Sequence, residues 1–372
     1  MLGRSYSFGK LFGIDIRFDI SWLLIFFLIT WVFSTGYFPS AIPDGTPMYY
    51  LFLGFLTSVM FFSSLVIHEL SHSAVARRNG LAVNTITLFM FGGASNLEEE
   101  PQAPKIEAKM AFAGPFASFV IADVFYLISF FIPTGVAFIG IFNVFRVLAV
   151  INLMLAVFNL LPGFPLDGGR IFRAIVWHFN KDYIKATKSA VYGGKIIAFM
   201  LLSLGLFGAV TGLVAQGLWL MVIGSLLNVL ANYSLDQTLA REELSKVNIS
   251  GIIKKDYPFV GIDTKLLKAI PLFFKDKTNT LFASKNDEIV GYIKLEETRD
   301  LSKSDVQEKV SKLTHSMGES EALKPDDSAL EAIRFMQKKD ISCAPAIIDK
   351  NHRGMVFKKD ILGILNHKVK GI

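Results

Sequence analysis

The sequence predicts a polytopic α-helical membrane domain followed by a soluble α/β domain. Of its 372 residues, 52% are apolar and only 19% are charged, whereas roughly a quarter of an ordinary soluble protein is charged. The charges are also unevenly distributed, with 26 in residues 1–240 and 44 in residues 241–372. The first part therefore has too few charges to cover a water-soluble domain of its length.

The composition also excludes several classes of protein. A single cysteine, Cys343, excludes a disulfide scaffold. High apolar content with a net charge of only +6 excludes intrinsic disorder. The basic residues are spread along the chain without an arginine-rich run, so no nucleic-acid partner is expected.

Residues 1–240 contain six apolar runs, and about 20 mostly apolar residues suffice to cross a bilayer as a helix. The predicted spans are 20–36, 49–76, 108–132, 145–161, 190–212 and 217–233. Residues 5–20 alternate in polarity and predict a short hairpin at the membrane surface. Residues 81–97 are rich in β-branched and aromatic residues and too short for two helical spans, so they predict a re-entrant β element.

The basic residues indicate the orientation of these spans. The loops 37–48, 132–135 and 213–216 contain no Lys or Arg, whereas the alternate loops contain twelve. Because cytoplasmic loops carry an excess of Lys and Arg, both termini are predicted to be cytoplasmic. The sequence therefore predicts a multi-pass protein of the cell membrane whose first part is embedded in the lipid bilayer.

The second span contains the motif His68-Glu69-Leu70-Ser71-His72. Positions four apart lie on one helix face, so both imidazoles can reach one Zn²⁺ while Glu69 stands ready to take a proton from a water molecule. Ionisable residues inside a membrane are costly and indicate function. The alternative is two interior histidines that hydrogen-bond near a helix end.

A catalytic zinc normally has three protein ligands, and Asp167 is the candidate for the third. It ends the segment Asn159-Leu-Leu-Pro-Gly-Phe-Pro-Leu-Asp167, at the predicted cytoplasmic end of the fourth span. His68 lies nine residues before Arg77, also near the cytoplasmic side. The depths therefore agree, although an Asp before Gly-Gly can equally be an ordinary turn residue.

These two motifs resemble those of the site-2 protease family of intramembrane zinc metalloproteases, and the resemblance covers most of residues 1–235. Phe91-Gly92-Gly93 and Ala113-Gly114-Pro115 are similar to the intervening motifs of that family. The resemblance implies a substrate that is a transmembrane segment of another protein. It also implies that the re-entrant sheet pairs with this segment after the segment unwinds.

The resemblance also implies a role for each residue of the two motifs. His68, His72 and Asp167 would bind the zinc, and Glu69 would be the general base and later the acid. Asn159 would hold the substrate carbonyl or the oxyanion, and the alternative for it is a cap at a helix end. Two features lie outside the family motifs. Asp123, within the third span, predicts either a hydrogen bond to a neighbouring helix or a water path to the zinc. The acidic run 98–100 predicts a solvated loop, and the alternative for it is a role in gating or in repelling anionic lipid.

The charged C-terminal part begins with a polar linker, 241–250, and continues as two similar units, 251–305 and 306–372. Each unit contains a capped helix start, an apolar strand and a strand that begins at glycine, with offsets of 64 and 63 residues between the units. The pattern resembles a tandem pair of CBS domains.

Such pairs often bind adenine nucleotides, through a hydroxyl residue followed three positions later by an Asp. The first unit has Lys294 and Glu297 at these positions, and the second has Phe357 and Asp360. The resemblance thus offers two alternatives for the C-terminal part. One is an adenine nucleotide at Asp360, and the other is a structural module that dimerises the protein.

Three functional hypotheses follow. The first is a zinc endopeptidase that cuts transmembrane substrates in regulated intramembrane proteolysis and is modulated by its CBS pair. The second is a CBS-gated metal transporter or channel, and the third is a catalytically inactive scaffold. Clustering of the polar residues at one depth favours the first over the second, and Glu69 favours it over the third, since a structural zinc needs no proton shuttle.

Overall fold

A computed structural model describes residues 5–90, 92–97, 101–135, 137–255, 259–275, 278–286, 288–299, 301, 305–318, 321–348 and 353–369. By contacts within the chain it divides into two compact units, Met1–Asp236 and Gln237–Ile372.

Among the described residues, six helical segments are long and apolar enough to cross a membrane, which confirms the predicted polytopic fold. The first of them comprises α1 (Ile20–Val32), a π-helical turn (Phe33–Tyr37) and α2 (Phe38–Ala41). The other five are α3 (Pro47–Arg78), α4 (Pro104–Phe131), α5 (Ile139–Asn159), α7 (Tyr183–Val210) and α8 (Val214–Ser245). A shorter helix, α6 (Asp167–Asn180), lies between α5 and α7.

Most of these helices extend beyond the predicted apolar runs, and a polar side chain caps the start of α3 and of α7. The Thr46 hydroxyl accepts a hydrogen bond from the Tyr49 N–H at the start of α3, where Pro47 occupies the first helical position. The fourth span begins at Ile139 rather than at the predicted residue 145. Residues 139–144, which the sequence analysis leaves outside the fourth span, are therefore part of its helix.

A four-stranded sheet accompanies the helices of the first unit. Its strands, in spatial order, are β1 (Ser5–Leu11), β2 (Ile14–Asp19), β3 (Val83–Phe89) and β4 (Gly92–Leu97). The hairpins β1–β2 and β3–β4 are antiparallel, and β2 pairs with β3 in parallel. The sequence predicts the two β elements separately, but alternate residues of β2 and β3 (Ile14, Ile16 and Ile86) share one buried cluster and join them in one sheet. The run 98–100 lies outside the described residues.

The second unit contains two small sheets with helices against them. The first sheet has the order β6 (Val260–Gly261), β7 (Thr280–Lys285), β8 (Glu288–Lys294), β9 (His315–Ser316). The second has the order β10 (Cys343–Ile347), β11 (Arg353–Phe357), β5 (Lys254–Lys255). The helices are α9 (Leu266–Lys275), α10 (Ala329–Lys339) and α11 (Lys358–Val369). Strand, helix and strand recur in both halves of this unit.

Two local features of the second unit have clear physical causes. Ser328 and Glu331 form a reciprocal capping box at the start of α10, and the hydrogen bonds from Ser328 lower the pKa of the Glu331 carboxyl. Helix α8 runs on through Ser245, so the first half of the predicted linker 241–250 is helical. Leu244 is buried in the core of the second unit, and this burial stabilises the last turns of the helix.

Candidate metal centre

The two histidines of the motif lie on the buried face of α3. His68 is 2% exposed and His72 is 5% exposed, and their Nε2 atoms are 3.2 Å apart. Asp167 is the first residue of α6, and its Oδ2 lies 3.2 Å from each Nε2 atom. Three ligand atoms from two separate elements thus form a nearly equilateral triangle.

The dimensions of this triangle fit a zinc ion. A tetrahedral zinc with bonds of about 2.0–2.1 Å spaces its ligand atoms about 3.4 Å apart, close to the observed 3.2 Å. Among the described residues, this is the one cluster of His, Cys, Asp or Glu side chains whose geometry could hold a metal. Burial alone would raise the pKa of Asp167, but attraction and hydrogen bonds from the two histidines outweigh it and hold this pKa well below its usual value.

One face of α4 orients both imidazole rings. His72 Nδ1 lies 2.7 Å from the Met110 carbonyl oxygen, and His68 Nδ1 lies 2.8 Å from Ser118 Oγ. Because a carbonyl oxygen only accepts, Nδ1 of His72 carries the hydrogen, and the Nε2 of the neutral ring presents its lone pair to the triangle.

Gly114 lies midway between Met110 and Ser118, one helical turn from each. A methyl group at this position would collide with the Nε2 atoms of both histidines. The absence of a side chain at Gly114 therefore allows the rings to approach α4 closely enough to reach Met110 and Ser118. This explains in physical terms why the sequence has glycine in the segment Ala113-Gly114-Pro115.

The segment that carries Asp167 is held against α7 by backbone contacts. The Phe164 N–H donates a hydrogen bond of 3.0 Å to the Ala190 carbonyl oxygen. A side chain at Gly194 would collide with the Phe164 carbonyl group. The loop before Asp167 therefore lies so close to α7 that no side chain fits between the two backbones at Gly194.

Glu69 is half-buried next to His68 and lies against the backbone of β4. A methyl group at Gly93 would come within 2.5 Å of Glu69 Cγ and 2.9 Å of its Oε1. In the order of the described strands β4 is at one edge of the sheet. The carboxylate of Glu69 is therefore next to a strand whose outer edge is not paired within the described part of the chain.

Two other residues singled out in the sequence lie in the membrane helices. Asn159 is the last residue of α5 and is half-buried, and its side chain has no hydrogen-bond partner among the described residues. Asp123 is exposed on α4, and within the described ranges it has neither a hydrogen bond nor an ion pair. The predicted hydrogen bond from Asp123 to a neighbouring helix is therefore not seen there.

In the second unit, Asp360 is already paired. Its Oδ2 lies 2.8 Å from Lys254 Nζ, and this ammonium group also lies 4.9 Å from the centre of the Phe357 ring. The corresponding Glu297 of the first half lies 2.6 Å from His315 Nε2. Both carboxylates thus contact a basic residue of an edge strand, which the sequence analysis did not anticipate.

Sequence reasoning also missed Met110 and Ser118, which hold the histidine rings. The available indication was their spacing of eight residues, centred on Gly114 in an apolar helix. A backbone carbonyl such as that of Met110 leaves no trace in residue identity, so only the fold reveals it.

Two family models and several known proteins are similar to this chain. The model of peptidase family M50 matches residues 56–136 and 134–204, and the CBS domain model matches residues 317–367. The protein sll0528 of Synechocystis, a zinc metalloprotease by its name, is 30% identical over 312 residues, which cover 82% of this chain and 80% of that protein. Rip3 of Mycobacterium tuberculosis, likewise named as a zinc metalloprotease, is 37% identical over 216 residues, 58% of this chain. That match spans only 55% of Rip3, about half of its length.

A solved structure is also similar. The site-2 protease from Methanocaldococcus jannaschii is 30% identical, covers 62% of this chain and is itself covered to 95%, with a TM-score of 0.43.

Proposed function

The chain belongs to peptidase family M50, and from that premise we propose that it is an intramembrane zinc endopeptidase that cuts transmembrane segments of other membrane proteins. The observation that carries this proposal is the triangle of His68, His72 and Asp167 with Glu69 beside it. Zinc would be held by the two Nε2 atoms and the Asp167 carboxylate. When bound, it would lower the pKa of a water molecule and polarise the scissile carbonyl.

The chain's own residues would then move the protons and hold the substrate. Glu69 would accept a proton from the attacking water and deliver it to the nitrogen of the leaving amine. The Asn159 amide would donate a hydrogen bond to the carbonyl oxygen, where negative charge develops in the transition state. The lack of a partner for Asn159 among the described residues supports this role, because its donor is then available to a substrate.

The edge strand β4 is the proposed binding site for the unwound substrate. Its outer edge is unpaired within the described sheet, and its Gly93 lies against Glu69. A substrate segment added as a fifth strand would run past the general base in extended form. An extended peptide bond is accessible to a nucleophile, whereas a peptide bond within a helix is shielded by its neighbours.

We propose that the CBS pair modulates this activity through α8. Ala231 and Leu235 of α8 pack in the cluster around Phe164, which is three residues before Asp167. Leu244 of the same helix belongs to the core of the second unit. A change in the second unit that rotates or shifts α8 would therefore act on the segment that carries the third ligand.

The orientation and the assembly of the protein are also part of the proposal. The distribution of Lys and Arg supports cytoplasmic termini and a cytoplasmic CBS pair. Self-association through the CBS units is supported by Leu267 and Phe274, which are 53% and 66% exposed and lie two turns apart on α9. An adenine nucleotide at Asp360 is not included, because Lys254 already contacts that carboxylate.

The two alternative functions receive less support. A metal pathway needs successive sites along the membrane, and the described residues contain one cluster that could hold a metal. An inactive scaffold has no need of a carboxylate beside the ligand triangle, and Glu69 occupies that place.

The first experiment measures the zinc content of the detergent-purified full chain. We expect about one zinc per chain in the wild type and at least a tenfold lower content in Asp167→Ala, which removes one of three ligands. Asp182→Ala is the matched control, because Asp182 is an exposed carboxylate that caps α7 and contacts Lys185. Folded wild-type protein without zinc, or zinc that is unchanged in Asp167→Ala, would refute the proposed site.

A further inference from the structure

The first unit contains a buried ion pair that the proposed mechanism does not use. Arg173 Nε donates a hydrogen bond of 2.8 Å to Glu107 Oε1, and Arg173 Nη2 donates to the same oxygen. The Glu107 side chain is fully buried, and that of Arg173 is 7% exposed. Arg173 Nη1 also lies 3.4 Å from Thr187 Oγ1, so the pair joins α4, α6 and α7.

Such a pair is poorly explained by stability alone. Removing two charges from water costs much of the free energy that their attraction returns, and well-packed apolar residues of similar volume often stabilise a protein as well or better. An ion pair does provide direction, because two N–H groups that converge on one carboxylate oxygen fix the distance and the side from which the two groups approach each other. A pair buried at this position therefore indicates that the relative placement of the helices matters.

On the α4 side, the pair is close to the support of His72. Glu107 lies three residues, less than one turn, before Met110. The Met110 carbonyl accepts the hydrogen bond from His72 Nδ1. A shift of α4 at Glu107 would therefore move the group that orients this ring.

On the α6 side, the pair is close to the support of Asp167. The Arg173 guanidinium lies 4.8 Å from the centre of the Phe164 ring and 4.6 Å from that of Tyr183. Phe164 belongs to the loop that leads into Asp167, and Arg173 lies on the helix that Asp167 begins. Arg173 thus contacts that loop and is anchored, through Glu107, to the helix that orients the histidines.

We propose that Glu107 and Arg173 are positioning residues that set the distance between Asp167 and the two histidines. Asp167 is the one member of the triangle that does not lie on α3, so its 3.2 Å separations depend on how α6 sits against its neighbours. The Glu107–Arg173 pair fixes that placement through side chains that touch neither a ligand atom nor the metal position. This inference rests on the proposed function, because it assumes that the triangle binds zinc.

The test compares zinc affinity and ligand geometry in full-chain variants. Glu107→Gln keeps the shape of the side chain but removes its charge, and Arg173→Lys keeps the charge but loses the planar group that binds and stacks. We expect each variant to bind zinc about 10–100-fold more weakly in chelator competition, as is typical when residues behind the ligands are changed. We also expect the visible absorption of the cobalt-substituted protein at saturating Co²⁺ to change in intensity, because the ligand geometry changes.

The control is Lys185→Gln, which breaks the exposed ion pair with Asp182 in the same region. It should leave both zinc affinity and the cobalt spectrum unchanged. A merely structural pair would lower the thermal midpoint of Glu107→Gln and Arg173→Lys, but the folded variants would keep wild-type zinc affinity and a wild-type cobalt spectrum. That result would overturn the inference.

Thr187→Val provides a milder change if the charge variants do not fold. It removes only the hydroxyl that contacts Arg173 Nη1, and we expect a twofold to fivefold loss of zinc affinity; unchanged affinity in this variant would count against the inference. Wild-type protein that binds no zinc would refute the proposed function itself. If the wild type binds zinc and all the variants bind it equally tightly, only the positioning role is refuted.

Discussion

The candidate metal centre of the first unit and the surroundings of Asp360 in the second unit share one feature, a carboxylate at the start of a helix. In the first, Asp167 meets two imidazole nitrogens at 3.2 Å, and both rings are oriented from behind by α4. In the second, Asp360 meets the ammonium group of Lys254 at 2.8 Å. The first arrangement collects electron-pair donors around a space for a cation, whereas in the second a side chain of the protein already supplies the cation.

The largest test of this difference changes Glu69, the proposed proton acceptor, which has no counterpart at Asp360. Glu69→Gln keeps the shape of the side chain but cannot accept a proton. Because a positioned general base contributes about 10²–10⁴-fold to rate, we expect cleavage of any single-span membrane substrate that the wild type cuts to fall by that factor. The measurement is the initial rate of fragment release from a labelled substrate co-reconstituted in vesicles.

Zinc content separates this effect from a loss of the metal site. Glu69 is not a member of the ligand triangle, so Glu69→Gln should retain about as much zinc as the wild type. A cleavage rate within tenfold of the wild-type rate, with zinc still bound, would show that another group accepts the proton.

A smaller effect is expected from the support behind the histidines. Ser118→Ala removes the hydroxyl that contacts His68 Nδ1 at 2.8 Å, and we expect zinc affinity to fall about 10–100-fold. Chelator competition measures this change. Ser129→Ala is the matched control, since Ser129 is an equally buried serine of α4 that donates to the Tyr126 carbonyl of its own helix. Equal zinc affinity in the two variants would mean that α4 does not orient His68.

The same comparison separates what a sequence reveals from what only a fold reveals. His68 and His72 are predictable because helical periodicity alone brings them together, and Glu69 follows His68 directly in the sequence. Asp167 could be proposed only by matching predicted depths and by resemblance, because it lies on another element. Lys254 is 106 residues from Asp360 in the sequence, and nothing in the residues around Asp360 indicates that a short edge strand brings the two together.

Among the secondary-structure elements, too, some can be predicted from the sequence alone and others cannot. Six apolar runs predict the membrane helices, because the bilayer imposes one length and one composition on each. The parallel pairing of β2 with β3 was not predictable from either hairpin, because 63 residues lie between the two strands and the buried cluster that they share also contains Ala76 of α3. Likewise, the Glu107–Arg173 pair joins residues on different helices that carry no shared motif.

The smallest expected effect concerns the second carboxylate. Because Lys254 contacts Asp360 and Phe357 stands where a hydroxyl is expected, we predict that the wild-type full chain binds ATP and AMP more weakly than about 1 mM, a binding free energy of about −4 kcal/mol. Lys254→Ala frees the Asp360 carboxylate by breaking an ion pair whose side chains are 51% and 28% exposed. Such pairs contribute about 0.2–1 kcal/mol, so the variant should gain at most about fivefold in nucleotide affinity. Isothermal titration calorimetry of the detergent-purified full chain measures both values, with Lys265→Ala, which removes an exposed lysine elsewhere in the second unit, as the control. Micromolar binding by the wild type that is lost in Asp360→Ala would mean that nucleotide displaces Lys254, and the second unit would then contain a ligand site after all.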